Sequence, residues 1–307
     1  MTLWGRDPHT TDLLARNRAF ETRLSGCRLH EAVRVTADFE VASDADAYVF
    51  TVPTQAMRAF LSGRTWTERA GAWINAAKGI EQKTLSTSGD VLSAFAPSGS
   101  HVFTLSGPSH AEELARSMPT SLVLAGKAVR VRARLQEELS SPYCRVYASG
   151  DRRGVELAGA LKNVVALAAG MCDGLGFGDN ARGTLITRGL AEITRLGQKL
   201  GGRWETFAGL AGMGDLITTC CSRHSRNRHV GYELGQGKSL TEILSGMTEV
   251  AEGVTTTPAA LELGQTFSQE LPIAEQVHAV LYEGKKAADA ARSLMTRALK
   301  EEATTYA

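Results

Sequence analysis

The sequence predicts a mixed α/β fold: a doubly wound parallel sheet over residues 1–149, followed by an all-helical domain over residues 150–307. In the first half, short runs rich in Val, Ile and Phe alternate with helical patterns. These runs lack strict polar alternation, which is typical of strands buried on both faces of a parallel sheet. After the SGDRRG stretch at 149–154, helical periods broken by glycines dominate.

The first element is TLWGRDP at 2–8, a short apolar run that ends in a polar turn. This form is typical of the second strand of a Rossmann-like, dinucleotide-binding sheet. A strand, a G-x-G-x-x-G turn and a helix, about 30 residues in all, would precede it, but only Met1 does. We therefore expect an N-terminally truncated sheet whose inner strands keep unpaired backbone groups.

The rest of the first domain alternates strands with helices, as a doubly wound sheet requires. Helices are predicted at TQAMRAFLSG (54–63) and HAEELARSM (110–118). The predicted strands are DAYVFTVP (46–53), GAWINAAKG (71–79), HVFTLSGPS (101–109), SLVLAGK (121–127) and YCRVYAS (143–149).

Composition limits the possible functions. The formal net charge of the 307 residues is +1, so there is no electrostatic case for a nucleic acid or an anionic membrane as partner. No apolar run approaches the roughly 18 residues of a membrane helix. The five cysteines form no C-x-x-C pair and no signal peptide is visible, so we expect a reduced, cytoplasmic protein. The histidines show no ligand spacing, so no metal is predicted.

A lysine interrupts the most apolar helix of the second domain. In ELAGALKNVVALAAG (156–170), Lys162 and Asn163 stand among Leu, Ala, Val and Gly. One interpretation is a lysine whose stem lies along apolar surface while its amine reaches water. The other is a buried, unpaired ammonium, because no carboxylate lies three or four residues away. Burial would lower its pKa and suit it to general acid/base or Schiff-base chemistry.

Two other stretches of the helical domain could each be a phosphate-binding site or an ordinary structural element. GLGFG (174–178) follows a helix instead of a strand, so we predict a helix break and not a phosphate-binding turn. In SRNRHVGYELGQG (225–237), Ser225 is a good N-cap for a helix that runs to Gly235. Backbone N–H groups at that helix start, together with Arg226, suit a phosphate. The alternative is a solvated basic turn.

Five separated motifs resemble one family, the NAD(P)-dependent glycerol-3-phosphate dehydrogenases of the bacterial type, in order and in spacing. The resemblance covers nearly the whole chain. It implies interconversion of sn-glycerol 3-phosphate and dihydroxyacetone phosphate, with supply of glycerol 3-phosphate for phospholipid synthesis. The motifs are GPSHAEELA (107–115), GALKNVVALAAGMCDGLGFGDNARGTLITRGLAEITRLG (159–197), GDLITTC (214–220), SRNRHVG (225–231) and VAEGVTT (250–256).

The resemblance implies a role for each matching position. Lys162 matches the catalytic lysine, which accepts the proton in alcohol oxidation, and Asp215 matches an aspartate that meets the substrate end near that lysine. On physical grounds, Asp215 is also expected to orient one ammonium. The remaining substrate contacts implied by the match are Lys78, Gly107, Ser109, Ser225, Arg226 and Asn227, and the cofactor contacts are Arg6, Lys78, Ala111, Arg226, Val250 and Glu252.

Arg6 bears on the choice between NADP and NAD. An acidic residue after the second strand accepts the ribose 2′-hydroxyl of NAD, whereas an arginine accommodates a 2′-phosphate. WGRDP offers Arg6 first and Asp7 next, so NADP use is expected and use of both is open. The alternative is an arginine in a surface turn.

Two other functions stay open beside the working dehydrogenase. Without a glycine-rich turn the chain could be an inactive homologue that keeps a phosphate-binding helical domain and a dimer surface; the family resemblance also allows a homodimer. A related dehydrogenase of another small hydroxy acid is the second alternative. The predicted phosphate-binding residues at 225–227 argue against this second alternative.

Overall fold

The computed structural model describes residues 1–307 except 21–23, 25, 43, 67–68, 248, 300 and 303–307. An α/β part comes first and a helical part follows, which confirms the predicted fold class. The strands are β1 (Thr2–Trp4), β2 (Arg34–Thr36), β3 (Ala47–Phe50), β4 (Ala72–Asn75), β5 (His101–Ser106), β6 (Thr120–Ala125) and β7 (Cys144–Ser149). The helices between them are α1 (Pro8–Asn17), α2 (Phe39–Ala42), α3 (Thr54–Ser62), α4 (Ser88–Phe95), α5 (Ala111–Leu114) and α6 (Val129–Leu139).

The second part begins two residues after β7 ends. Its helices are α7 (Arg152–Gly174), α8 (Asp179–Lys199), α9 (Trp204–Ala208), the π-helical turn Leu210–Gly214, α10 (Asp215–Cys221), α11 (Arg226–Gly235), α12 (Leu240–Ser245), α13 (Glu252–Thr266), α14 (Pro272–Tyr282) and α15 (Ala287–Met295). Because α7 also packs against β5, the two parts share a contact surface, and the division at 149/150 stays a prediction.

The strands form two separate sheets. β1 and β2 pair in parallel, and the second sheet has the order β3-β4-β5-β6-β7. All neighbours in the second sheet are parallel except β5 and β6, which pair antiparallel. The prediction of a parallel sheet therefore holds apart from that one junction, whose direction depends on a reversal of the chain between Ser106 and Thr120.

Among the described residues, no strand pairs with both sheets. Aromatic packing joins the two sheets instead. The rings of Trp4 and Phe60 lie 5.5 Å apart and those of Phe39 and Trp66 lie 5.1 Å apart. The guanidinium of Arg64 lies 4.1 Å from the centroid of the Phe60 ring. Each aromatic pair of this kind contributes about 0.5–1.5 kcal/mol beyond its buried area.

Helix α7 is the central element of the second part. Asp151 caps its start by accepting a hydrogen bond from the backbone N–H of Gly154. Contrary to the expectation from sequence, this helix is long and apolar enough to cross a membrane, but 94% of its apolar window is buried inside the protein. It is therefore the core helix of the fold. It ends at Gly174, and Gly176 takes the left-handed φ of +76°, which confirms the predicted helix break.

Glycines bring α11 unusually close to α7. A Cβ added at Gly231 of α11 would lie 2.0 Å from the carbonyl oxygen of Leu167. A Cβ added at Gly170 of α7 would lie 2.0 Å from the carbonyl oxygen of Arg228. The two backbones are thus in direct contact, and no larger residue fits between them. This contact fixes α11 relative to the C-terminal half of α7.

The glycine contact predicts that Gly231→Ala destabilises the fold. Because the added methyl group forces α7 and α11 apart, the free energy of unfolding should fall by about 1–3 kcal/mol or more. Gly183→Ala is the matched control, since Gly183 lies in α8 with open space around its Cβ position. That change should raise stability by about 0.5–1 kcal/mol. Thermal unfolding of both variants measures the difference; equal shifts in Tm would contradict the close packing.

Candidate active site

Two lysines and one aspartate from three different segments meet at one point. Lys162 lies in the middle of α7, Lys78 follows β4, and Asp215 is the first residue of α10. The Oδ1 atom of Asp215 lies 2.9 Å from Lys162 Nζ, and its Oδ2 atom lies 2.9 Å from Lys78 Nζ. The sequence predicts that Asp215 orients one ammonium; in the structure it bridges both.

Lys162 is buried and paired. Only 4% of its surface is exposed, so its amine does not reach water along an apolar surface. The expectation of an unpaired ammonium is wrong, because the partner carboxylate comes from α10 and not from α7 itself. The amine also donates to the hydroxyl of Thr219. Burial lowers the pKa of Lys162 to about 8; Lys78 acts in the same direction and Asp215 opposes it.

Asp215 stays ionised in the cluster. Burial alone would raise its pKa, but the charges of Lys162 and Lys78 outweigh burial and hold the pKa below its usual value. The carboxylate is 2% exposed. Breaking such a buried pair by removing one partner typically costs about 3–5 kcal/mol. The aspartate therefore fixes the positions of both ammonium groups.

The loop after β5 completes the environment of Lys78. The Lys78 amine donates to the carbonyl oxygen of Gly107 at 3.0 Å and lies 3.4 Å from the hydroxyl of Ser109. Gly107 has a φ of +131°, and a Cβ there would lie 3.2 Å from the carbonyl of Ser121, so the position requires glycine. Ala111 follows at the exposed start of α5. Two of the predicted substrate residues thus lie beside Lys78.

The start of α11 forms the second group of predicted residues. Ser225 is the N-cap and accepts a hydrogen bond from the backbone N–H of Arg228 at 3.2 Å, as predicted. The side chain of Arg226 is half exposed and lies 3.7 Å from Glu249. Asn227 is buried. Ser225 and Asn227 are therefore held in place by the protein, while the guanidinium of Arg226 reaches the surface.

A chain of amides connects the two groups. The side-chain amide of Asn163 donates to the carbonyl oxygen of Lys78 at 3.0 Å. That of Asn227 donates to the Oδ1 atom of Asn163 at 3.0 Å. The backbone N–H of Gly253 then donates to the Oδ1 atom of Asn227 at 2.9 Å. Buried chains of this kind hold segments in a unique arrangement.

Neither the contact of Thr219 with Lys162 nor this chain of amides is predicted from the sequence. The isolated amide of Asn163 in an apolar helix was the available signal, because a buried amide must find partners.

The predicted cofactor residues are spread more widely. Glu252 begins α13, and its Oε1 atom accepts a hydrogen bond from the backbone N–H of Thr54 at 3.0 Å. Burial raises its pKa. Its buried Oε2 atom has no hydrogen-bond partner within the described part of the chain. Val250 is exposed just before α13. Arg6 is exposed after β1, on the separate two-stranded sheet.

The cysteines of α10 differ from each other. Cys220 is buried, whereas Cys221 is exposed. Burial raises the pKa of the Cys220 thiol to about 12, so that thiol is inert. Among the residues that the structure describes, no group of three or more His, Cys, Asp or Glu side chains could hold a metal ion.

Two protein-family models match this chain. Residues 1–131 match the model of the NAD-dependent glycerol-3-phosphate dehydrogenase N-terminus, and residues 151–292 match that of its C-terminus. The chain belongs to the NAD-dependent glycerol-3-phosphate dehydrogenase family. Membership makes it an oxidoreductase that uses NAD or NADP, as the motifs predict.

Individual relatives agree with the family. The chain is 44% identical over 306 residues to the glycerol-3-phosphate dehydrogenase [NAD(P)+] of Chlorobium limicola, covering 98% of this chain and 92% of the relative. It is 45% identical over 303 residues to that of Carboxydothermus hydrogenoformans, covering 98% and 90%. The crystal structure of the Coxiella burnetii glycerol-3-phosphate dehydrogenase superposes with a TM-score of 0.90 at 32% identity, over 96% of this chain and 91% of that one.

The geometry predicts that Asp215→Asn lowers the pKa of Lys162 below about 8. The carboxylate raises that pKa, so its neutralisation should remove about one unit or more. Lysine side-chain NMR, with ¹³C at Cε, measures the midpoint, and the spectrum of Lys162→Met assigns the signal. Thr219→Val is the control, because it removes a hydrogen-bond partner without a charge and should shift the midpoint much less. An unchanged midpoint in Asp215→Asn would exclude the pair.

Proposed function

We propose that the chain interconverts sn-glycerol 3-phosphate and dihydroxyacetone phosphate, with Lys162 as general acid and base. One observation carries the proposal: a buried lysine with a pKa of about 8, paired with Asp215, lies beside a second ammonium. A general base works best when its pKa is near the operating pH. Family membership supports the reaction class, and the roles of the individual residues are our proposal.

The proton steps follow from the cluster. In oxidation, neutral Lys162 accepts the proton of the C2 hydroxyl as the hydride leaves C2. In reduction, the Lys162 ammonium returns that proton to the carbonyl oxygen. Lys78 supplies a fixed positive charge that stabilises negative charge developing on the same oxygen. Asp215 keeps both amines in place and touches the polar end of the substrate. Gly107 and Ser109 line the same place from the loop after β5.

We assign the substrate phosphate to the start of α11. Backbone N–H groups there and the fork of Arg226 form a suitable anion site. The amide chain through Asn163 and Asn227 fixes this helix start relative to Lys78. The half-exposed Arg226 can turn toward a bound anion, because its contact with Glu249 is long. This arrangement favours a phosphorylated alcohol over another small hydroxy acid.

A nicotinamide cofactor, when bound, would supply the hydride acceptor and donor. The buried, unpartnered Oε2 atom of Glu252 suits the site for a cofactor, since such an oxygen needs a hydrogen-bond donor. We propose that Lys78, Ala111, Arg226, Val250 and Glu252 contact the cofactor. Arg6 would then accommodate the 2′-phosphate of NADP.

We also propose a setting for the enzyme: a homodimer in the cytoplasm that supplies glycerol 3-phosphate for phospholipid synthesis, with no nucleic-acid or membrane partner. The family resemblance supports the product and the dimer. The net charge of +1 and the burial of α7 agree with a protein of this kind.

Lys162→Met should abolish turnover, lowering kcat by about a hundredfold to ten-thousandfold, because Met keeps the length of the side chain and removes the proton acceptor. Steady-state oxidation of glycerol 3-phosphate measures the loss, and an unchanged circular-dichroism spectrum shows that the fold persists. The exposed Lys83→Met is the control. If kcat survives within a few-fold, Lys162 is not the base.

Arg226→Ala should raise the KM for glycerol 3-phosphate by about tenfold to a hundredfold, with a smaller change in kcat. The reason is the loss of a charged contact to the phosphate. Arg223→Ala is the matched control, an exposed arginine three residues earlier. Equal KM values in both variants would remove Arg226 from the phosphate site.

A further inference from the structure

A cavity lies at one end of the strands, away from the end at which Lys78 and Gly107 lie. Its volume is about 590 Å³, within the range of small-molecule sites. It is lined by His101 at the start of β5, Lys127 after β6, and Arg152 at the start of α7. The Lys78 and Gly107 cluster follows the other ends of β4 and β5. The cavity is therefore separate from the proposed active site.

The lining carries an excess of positive charge. Four of its side chains are cations: Lys127, Arg152, Arg153 and Arg203. Arg152 and Arg153 share the carboxylate of Asp90, and Arg152 also pairs with Glu156. Lys127 and Arg203 are exposed, and neither forms an ion pair or a side-chain hydrogen bond with any other residue that the structure describes.

The one carboxylate in the lining does not compensate them. The Oδ1 atom of Asp151 accepts the backbone N–H of Gly154, and its Oδ2 atom accepts the backbone N–H of Arg203 and the hydroxyl of Thr206. Asp151 is buried, and these hydrogen bonds hold it as part of the helix cap. The open space thus faces two cations, Lys127 and Arg203, that have no ion-pair partner among the residues that the structure describes.

The other walls suit a ligand with an apolar or ring-containing body. Ala96, Pro97 and Val102 contribute apolar surface, and His101 adds an imidazole ring. A single phosphate would fill a small part of about 590 Å³. The cations suit a diphosphate, and the apolar wall suits a larger group attached to it.

We propose that this cavity binds a diphosphate-bearing metabolite, of which a nucleoside diphosphate is the simplest form. Lys127 comes from the α/β part and Arg203 from the helical part, so the ligand would bridge the two. Its position also gives it a connection to the active site, because α7 begins at this cavity and carries Lys162 ten residues further on, about 15 Å along the helix. The proposal does not depend on the proposed function.

Isothermal titration of the full chain with inorganic pyrophosphate and with adenosine diphosphate tests the site. Both should bind, adenosine diphosphate more tightly. Arg203→Glu and Lys127→Glu should each weaken binding by about tenfold or more, because each reverses a charge facing the ligand. Arg203→Glu and Lys127→Glu lie in different parts of the chain, so a folding defect in one variant leaves the other variant informative.

Two controls locate the binding. Arg188→Glu makes the same charge change at an exposed position of α8 outside the lining and should leave the affinity unchanged. Arg226→Ala alters the proposed phosphate and cofactor region and should also leave it unchanged. The proposal is overturned if neither probe binds, if both cavity variants bind as the native chain does, or if Arg226→Ala abolishes binding.

Discussion

The structure depends on one carboxylate held between two ammonium groups. Lys162 could not remain charged in the middle of a buried apolar helix without Asp215, since an isolated buried charge costs several kcal/mol. Asp215 in turn stays ionised because both lysines face it. Burial lowers the pKa of Lys162 to about 8, with a contribution from the charge of Lys78, while Asp215 opposes the shift. A stable protein can therefore keep a lysine ready to exchange a proton near neutral pH.

Backbone packing sets the distances in this cluster. Helix α7 carries Lys162 and Asn163 through the core, and the glycine contact brings α11 against it without intervening side chains. The amide chain from Lys78 to Gly253 then ties the α/β part to three helices. A substrate whose reacting carbon lies near Lys162 and whose phosphate lies at the start of α11 would meet groups that are already in place, so little ordering would remain at the moment of reaction.

Much of this could be predicted from sequence. The change of pattern at 149–154 predicted the α/β-then-helical order, and a cation in an apolar run indicated the site. Ser225 as N-cap followed from local rules, and so did the break after Gly174. Contacts between distant segments could not be predicted in this way. Four features depend on tertiary packing, which local sequence periodicity does not encode. They are the ion pair of Asp215 with Lys78, the antiparallel pairing of β5 and β6, the exposure of Cys221 and the aromatic cluster around Phe60.

The pH dependence of kcat/KM tests the central claim most directly, because that ratio reports ionisations of the free enzyme. We expect kcat/KM for oxidation of glycerol 3-phosphate to rise with pH below about pH 8, by up to about tenfold per pH unit, and to level off above it, where Lys162 is deprotonated. The reduction rate should fall above the same pH. A flat profile from about pH 7 to 9.5, in both directions, would show that no group with the pKa of Lys162 takes part.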